Sequence, residues 1–185
     1  MALGYPQGLT KKDIPYVAQI IRVADEYDAI VTKRQYTTHV NISETLKDLI
    51  KDARPTDYMK TVALDVVREN YKVGKINPKA LKALFKVVID DTLYEISCVM
   101  DYINYLNEQI NRLEKIEKYD LKAQKAKKSK DKDYYHEGMR MLFEQGENFE
   151  NYQNILSEYR MAVITREDVK DKLYNEIRII KKLRI

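Results

Sequence analysis

The chain has few of the residues that make turns, disulfides and metal sites. Its 185 residues include 5 Gly, 4 Pro, 2 His, a single Cys and no Trp. So few Gly and Pro cannot supply the many turns of a β-sandwich, so long helices are expected instead. Cys98 has no partner for an internal disulfide, and two histidines do not complete a Cys/His zinc site with it. Its apolar surroundings in the sequence predict a buried thiol.

Long hydrophobic runs are also absent. No apolar stretch approaches the ~18–20 residues of a membrane-spanning helix, and the first residues lack the basic and apolar regions of a secretory signal. We therefore expect a cytoplasmic protein without membrane association. The 44% hydrophobic and 34% charged residues are enough for a folded core. The net charge of +4 permits nucleic acid or an acidic partner but requires neither.

Capping residues and prolines mark the predicted helix starts in the first half. The expected starts are a capping box from Thr10 to Asp13 with Pro15 in the first turn, then Ser43, Thr56, and Asn77 with Pro78 as first helical residue. They open helices over about 13–32, 43–53 and 56–71, and Gly74 ends the third. The first helix should bury one face, made of Ile14, Val17, Ile20, Ile21, Ala24, Tyr27 and Val31.

A long helix is predicted from Pro78 to about residue 121, because no Gly or Pro occurs from 79 to 137. After a core face at 81–89, apolar residues follow three and four apart in a short heptad seam made of Ile96, Val99, Ile103, Leu106, Ile110 and Leu113. Such a helix needs a partner. An antiparallel return through 134–163, and a last helix begun by a capping box from Thr165 to Asp168, would supply it.

The predicted fold is therefore all-α. A truncated helical domain over 1–90 is followed by a long, coiled-coil-like helical hairpin or bundle over 91–185. The turn of this hairpin is rich in lysine, since residues 122–132 contain only one acidic residue, Asp131. We call its six lysines the basic tip: Lys122, Lys125, Lys127, Lys128, Lys130 and Lys132.

Two interpretations of the basic tip remain open. A lysine run is usually a solvated turn. Phosphate or nucleic-acid binding is the alternative, and it is weakened because no aromatic residue lies inside the run to stack on bases. Elsewhere the chain has no phosphate-cradling Gly-rich loop and no Gly-x-Ser-x-Gly turn. His39 and His136 are far apart in sequence and are expected to be surface residues.

The first predicted helix carries two carboxylates on one face. Asp25 and Asp28 are three residues apart and share that face with part of the apolar stripe. A carboxylate among apolar side chains is costly unless it is paired or binds a metal ion. A paired or helix-capping Asp25 is the simpler interpretation, and metal binding is the other.

Several elements of the first half resemble the second half of an HD-GYP domain, a type of HD phosphohydrolase. They are Gly4-Tyr5-Pro6-Gln7-Gly8-Leu9, Ile14-Pro15, Ile21 through Ala29, Lys33-Arg34-Gln35-Tyr36, and Asn77-Pro78-Lys79-Ala80-Leu81 with Phe85. The resemblance covers about residues 3–90. It implies an all-helical domain of a bacterial enzyme with a two- or three-metal centre that hydrolyses cyclic di-GMP.

The resemblance also implies roles for individual residues. Asp25 matches the last metal-binding aspartate, Lys33, Arg34 and Tyr36 match the region near the substrate phosphates, and the signature loop is matched by Gly4, Tyr5 and Pro6. The chain departs from the family pattern at Gln35, Thr37 and Asn77, where the family has Pro, Arg and Asp. The HD pair, a glutamate and several histidines precede the loop in the family and have no counterpart in this sequence.

These departures predict a protein without hydrolytic activity. Asp25, even with Asp28, cannot hold two divalent ions and leave a position for water. We expect no cofactor, and Mn or Fe only if other residues complete the site. The expected function is a non-catalytic binding or regulatory protein derived from an HD-GYP phosphohydrolase, for example an inhibitor of a nucleic-acid-handling nuclease of the anti-CRISPR kind.

Two alternatives are a cyclic di-GMP phosphodiesterase fragment and a structural coiled-coil adaptor. The expected partner is a protein, and nucleic acid stays open. Homodimers are also expected, because the apolar faces of 14–31 and 81–89 would lack partners in a truncated domain.

Overall fold

The computed structural model describes residues 13–35, 42–53 and 76–183, and for 32–35 it describes the backbone alone. All regular structure within these ranges is helical, which confirms the all-α prediction. The helices are α1 (Tyr16–Gln35), α2 (Ile42–Ala53), α3 (Pro78–Lys125), α4 (Ser129–Arg140) and α5 (Tyr152–Lys182). The predicted helix over 56–71, its end at Gly74 and the cap at Thr10 lie outside the described residues. None of these helices has the length and apolarity needed to cross a bilayer.

The start of α3 is as predicted. The Asn77 side-chain oxygen accepts a hydrogen bond from the Lys79 backbone N–H at 2.9 Å, which is N-cap geometry. Pro78 is the first helical residue, where its missing N–H costs nothing. The Asn77 amide nitrogen also donates to the Gln19 side-chain oxygen at 2.7 Å. One side chain therefore caps α3 and ties it to α1.

The buried stripe of α1 differs from the predicted one. Val23 is buried, and Tyr27 and Ile30 pack against the same cluster, at spacings of four and three. Val17 and Ile21 are 65% and 54% exposed, so the prediction was wrong for that side of the helix. The buried stripe is the one that contacts the core residues of α2 and α3. Sequence periodicity alone could not predict this stripe, because it does not identify the neighbouring helices.

Residues 81–89 form the predicted core face, but this face is not short of partners as the dimer prediction assumed. Leu81, Phe85 and Val88 are buried in the same cluster as Val23, so this face does not lack partners. The rest of the buried cluster comes from α2, the residues before and at the start of α3, and α5: Leu46, Leu49, Ile50, Ala53, Ile76, Ala80 and Ile180. One of the two apolar faces on which the dimer prediction rested is therefore covered within the chain.

The described residues form two compact units. One contains those up to Leu93 and from Tyr174 onward, and the other is Tyr94–Leu173. In the first unit a carboxylate oxygen of Glu176 accepts the backbone N–H of Ser43. Ser43 is buried in the first turn of α2, so it is not the N-cap that was predicted. The division into 1–90 and 91–185 stays a prediction.

In the second unit α3 and α5 are antiparallel. Tyr152 bonds to Asp120, Arg160 pairs with Glu114, and further along α5 the Arg166 guanidinium lies over the Tyr102 ring. Residue numbers thus fall along α3 as they rise along α5, as the antiparallel return requires. The core of this unit is Leu113, Ile116, Met139, Tyr152 and Leu156. Coiled-coil packing stays a prediction.

The predicted return helix over 134–163 is interrupted. α4 ends at Arg140, and α5 begins at Tyr152. Asn148 lies in the turn that leads into α5, and its side-chain oxygen accepts the backbone N–H groups of Glu150 and Asn151. The Asn151 side-chain oxygen accepts the Asn148 N–H in return at 2.8 Å. This reciprocal pair has the hydrogen-bond pattern of a capping box, formed here by two asparagines. The prediction of one continuous helix over 134–163 was therefore wrong.

Two smaller predictions are also corrected. Thr165 lies inside α5, and its hydroxyl donates to the Met161 backbone oxygen at 3.0 Å, so it does not begin a new helix. A threonine within a helix satisfies its hydroxyl on the preceding turn in this way. Cys98 is exposed, since it lies on the α3 side away from the buried Ile96 and Ile103.

Candidate functional site

The residues assigned by the HD-GYP resemblance are only partly described. Asp25 and Asp28 are both exposed on α1, so neither lies in the buried stripe. The expected cost of embedding Asp25 among apolar side chains therefore does not arise. Lys33 and Arg34 belong to α1, but their side chains lie outside the description, as do Tyr36 and the loop residues Gly4, Tyr5 and Pro6.

The described residues do not fit a divalent metal centre. No group of three or more His, Cys, Asp or Glu side chains comes together within 13–31, 42–53 and 76–183. A hydrolytic metal ion needs several such ligands together with an open position for water. No catalytic step through a metal ion follows from the side chains that the structure describes.

The basic tip forms the turn between α3 and α4. α3 ends at Lys125 and α4 begins at Ser129, so Lys127 and Lys128 lie in the short connection. Lys122 and Lys125 come from the last turn of α3, and Lys130 and Lys132 come from the start of α4. All six lysine side chains are exposed. The turn therefore gathers six positive charges at one end of the second unit, opposed locally by the exposed Asp131 and Asp133.

Three tyrosines adjoin the basic tip, although none lies inside the lysine run. The Lys122 ammonium nitrogen is 6.0 Å from the Tyr119 ring centroid and 5.9 Å from that of Tyr135. These are cation–π distances from two rings at once. The two ring centroids are 6.2 Å apart, and Tyr134 packs edge-on against Tyr135 at 5.5 Å. Tyr134 is 71% exposed.

Sequence reasoning missed these tyrosines because it searched only within the run. A signal was present, since Tyr119 precedes Lys122 by three residues and therefore shares its helix face. Tyr134 and Tyr135 follow the last lysine of the run, Lys132, almost directly. Only the reversal of chain direction between α3 and α4 shows that Tyr119 and Tyr135 meet.

Below the tip, a partly buried hydrogen bond joins α3 to α5. The Tyr152 hydroxyl donates to a carboxylate oxygen of Asp120 at 2.7 Å and accepts from the Gln153 amide at 3.1 Å. Burial, followed by the hydrogen bond to Asp120, raises the pKa of the Tyr152 hydroxyl to about 12. The protonated hydroxyl links α5 to α3 by donating to Asp120.

Further along α3, Arg112 holds the segment between α4 and α5. Its guanidinium bonds to both carboxylate oxygens of Glu147, to the Leu142 backbone oxygen at 2.8 Å, and to the Gln109 side-chain oxygen. Glu144 adds an ion pair at 3.2 Å. Every nitrogen of this guanidinium is engaged within the protein, so Arg112 has a structural role.

Residues 2–61 match the HD domain family. This confirms the HD-type resemblance over that part of the chain. The HD-type segment, as we call residues 2–61, includes α1 with Asp25 and all of α2. It does not include the hairpin or the basic tip.

A comparison with curated proteins points the same way. Over 46 residues the chain is 37% identical to a cyclic di-GMP phosphodiesterase of Thermotoga maritima. The alignment covers 25% of this chain and 12% of that protein, so the chain spans only a small part of the relative's length. No solved structure matches the chain.

Proposed function

We propose that this chain is a non-catalytic binding protein that carries an HD-type segment and acts through its helical hairpin. The observation that carries the proposal is the gathering of six exposed lysines at the α3–α4 turn. Clustered charge of one sign attracts oppositely charged partners and accelerates their association. The Arg112 and Tyr152 contacts hold the helices that present this surface, so the lysines project from an ordered support.

Among the side chains that the structure describes, no group of three possible metal ligands includes Asp25, and this supports binding over hydrolysis. A nuclease inhibitor of the anti-CRISPR kind is one form of the proposal. In that form the basic tip would bind the nucleic acid that the nuclease holds. Cytoplasmic location belongs to the same proposal.

Self-association is a separate part of the proposal. It is supported by the exposed side chains of Val17 and Ile21 on α1. Sedimentation equilibrium tests it directly. A dimer mass that becomes a monomer mass in a Val17→Ser, Ile21→Ser variant supports self-association through α1, and a monomer mass for the unchanged chain contradicts it.

The alternative is a cyclic di-GMP phosphodiesterase fragment that other residues complete. The 37% identity over 46 residues to a protein of that name favours it. The alternative predicts stoichiometric binding of Mn²⁺ or Fe²⁺ and turnover of cyclic di-GMP. Incubating the purified chain with that nucleotide and each metal, the iron under anaerobic conditions, should give no product if our proposal is correct.

Binding through the basic tip is tested on an anionic polymer. A Lys125→Gln, Lys127→Gln, Lys128→Gln variant should elute from immobilised heparin at a clearly lower salt concentration than the unchanged chain. The matched control replaces the exposed Lys79, Lys82 and Lys86 of α3 by Gln, and it lowers the net charge by the same amount. Equal shifts in the two variants, or metal-dependent hydrolysis of cyclic di-GMP, would contradict the proposal.

A further inference from the structure

The surface around the basic tip combines positive charge with exposed aromatic rings. Lys122 is bracketed by Tyr119 and Tyr135, and Tyr134 extends the aromatic surface toward solvent. The rings come from both helices, Tyr119 from α3 and the other two from α4. The rings and Lys122 thus lie together beside the turn that carries the other five lysines.

This combination distinguishes among anionic partners. Lysines alone suit a duplex, an acidic peptide or a polyphosphate equally well. A tyrosine ring that is 71% exposed beside them adds a flat apolar face. Unpaired bases stack on such rings, whereas paired bases inside a duplex have no free face to offer. Base stacking with backbone neutralisation by lysine is the usual arrangement of sequence-tolerant single-strand binding.

We infer that the basic tip with Tyr119, Tyr134 and Tyr135 binds single-stranded nucleic acid, with Tyr134 as the stacking residue and the lysines on the phosphates. The inference rests on the proposed function and names its ligand class. Lys122 is held by two rings, so the freer lysines Lys125, Lys127 and Lys128 are the ones expected to reach phosphates. Recognition should tolerate changes of base sequence, since every base has a face that can stack.

The test is a fluorescence anisotropy titration with a labelled oligothymidylate. Tyr134→Ala should weaken binding by about 5- to 150-fold, the range expected for losing one stacked base. Tyr134→Phe keeps the ring and should bind within about twofold of the unchanged chain. The matched control is Tyr94→Ala, because Tyr94 is 72% exposed on α3 but distant in sequence from the tip. It should leave the affinity unchanged.

Salt dependence tests the role of the lysines. For a single strand, the slope of log affinity against log salt concentration is about −0.7 for each phosphate neutralised. The Lys125→Gln, Lys127→Gln, Lys128→Gln variant should make this slope shallower by up to about 2. The control variant Lys79→Gln, Lys82→Gln, Lys86→Gln should keep the slope of the unchanged chain. Circular dichroism melting of each variant shows whether the fold is retained.

Several outcomes would overturn the inference. One is no binding of the oligothymidylate, and another is equal weakening by Tyr134→Ala and Tyr94→Ala. Binding of a double-stranded oligonucleotide or of polyglutamate as tightly as the oligothymidylate would also overturn it. Each of these leaves the proposed function standing if the heparin shift is specific to the tip. Hydrolysis of cyclic di-GMP would instead overturn the proposed function, whatever the oligonucleotide result.

Discussion

Arg112 and Glu147 form two parallel hydrogen bonds, from Nη1 to Oε2 at 2.5 Å and from Nη2 to Oε1 at 2.6 Å. The pair joins α3 to the segment that separates α4 from α5. The side chains are 16% and 6% exposed, and the Glu144 backbone N–H donates to the same carboxylate at 2.9 Å. A bidentate pair shielded from water in this way is among the stronger polar contacts a protein makes.

Replacing Glu147 by Gln should destabilise the second unit. The change weakens the hydrogen bonds to the Arg112 charge and removes its main counter-charge, so we expect a loss of about 1.5–3 kcal/mol in the free energy of unfolding. Urea denaturation at pH 7 measures it. The matched control is Glu137→Gln, which breaks an exposed pair with Arg140 and should cost less than about 1 kcal/mol. Equal effects would show that burial does not strengthen the Arg112 pair.

The same pair predicts a pH dependence. The hydrogen bond from Arg112 is the main cause that lowers the pKa of the Glu147 carboxyl below its usual value of 4.5. Because the folded pKa is below the unfolded one, this contribution is fully present well above pH 4.5 and is lost as the pH falls through the folded pKa. The stability difference between the unchanged chain and Glu147→Gln should therefore shrink on acidification. A difference that stays constant from pH 7 to pH 3 would contradict this.

Replacing Tyr152 by Phe removes a partly buried hydrogen bond to a carboxylate and should cost about 1.5–3 kcal/mol at neutral pH. The pKa of the Tyr152 hydroxyl is raised from 10.0 to about 12. This contribution is therefore fully present below pH 10 and is lost as the pH rises toward 12. Chemical denaturation of both proteins across this range measures the difference. Tyr94→Phe, at an exposed site, should have no such effect.

Two glycines are expected to respond oppositely to Ala. Gly146 has φ of +90°, which disfavours any side chain, although nothing lies within 4 Å of the added Cβ. Gly146→Ala should cost about 1–3 kcal/mol from backbone strain alone. Gly138 lies within α4, and its Cβ would meet the Tyr119 ring at an ordinary 3.6 Å. Gly138→Ala should therefore stabilise the protein by up to about 1 kcal/mol. Thermal unfolding of the two variants measures both changes. A stability change of the same sign in both would contradict this prediction.

The turn that leads into α5 provides another paired prediction. Asn148→Ala removes the side-chain acceptor for two backbone N–H groups and should cost about 1 kcal/mol. Thr165→Ala, within the helix and exposed, should raise stability by a few tenths of a kcal/mol, since Ala has the higher helix propensity. Denaturation midpoints measure both changes. Destabilisation by Thr165→Ala as large as that by Asn148→Ala would indicate a helix start at Thr165.

The interrupted return shows where local pattern reasoning failed. The helical spacing of apolar residues continues from 134 to 163, and it outweighed the signals of Gly146 and of two asparagines three residues apart. In this protein, tertiary contacts also support the turn that those signals mark. Here Arg112 supplies that support by bonding to Leu142 and Glu147 from another helix, a contact 30 or more residues away that no local window includes.

The amino-acid sequence by itself determined the all-α class, the start of α3 at Asn77 and Pro78, and the exposure of the lysine run. These features depend on local backbone preferences, capping and charge, which act over a few residues. Tertiary structure alone decided which stripe of α1 is buried and that Tyr119 meets Tyr135 beside Lys122. Both depend on which helices become neighbours, and that is set by the packing of many distant side chains at once.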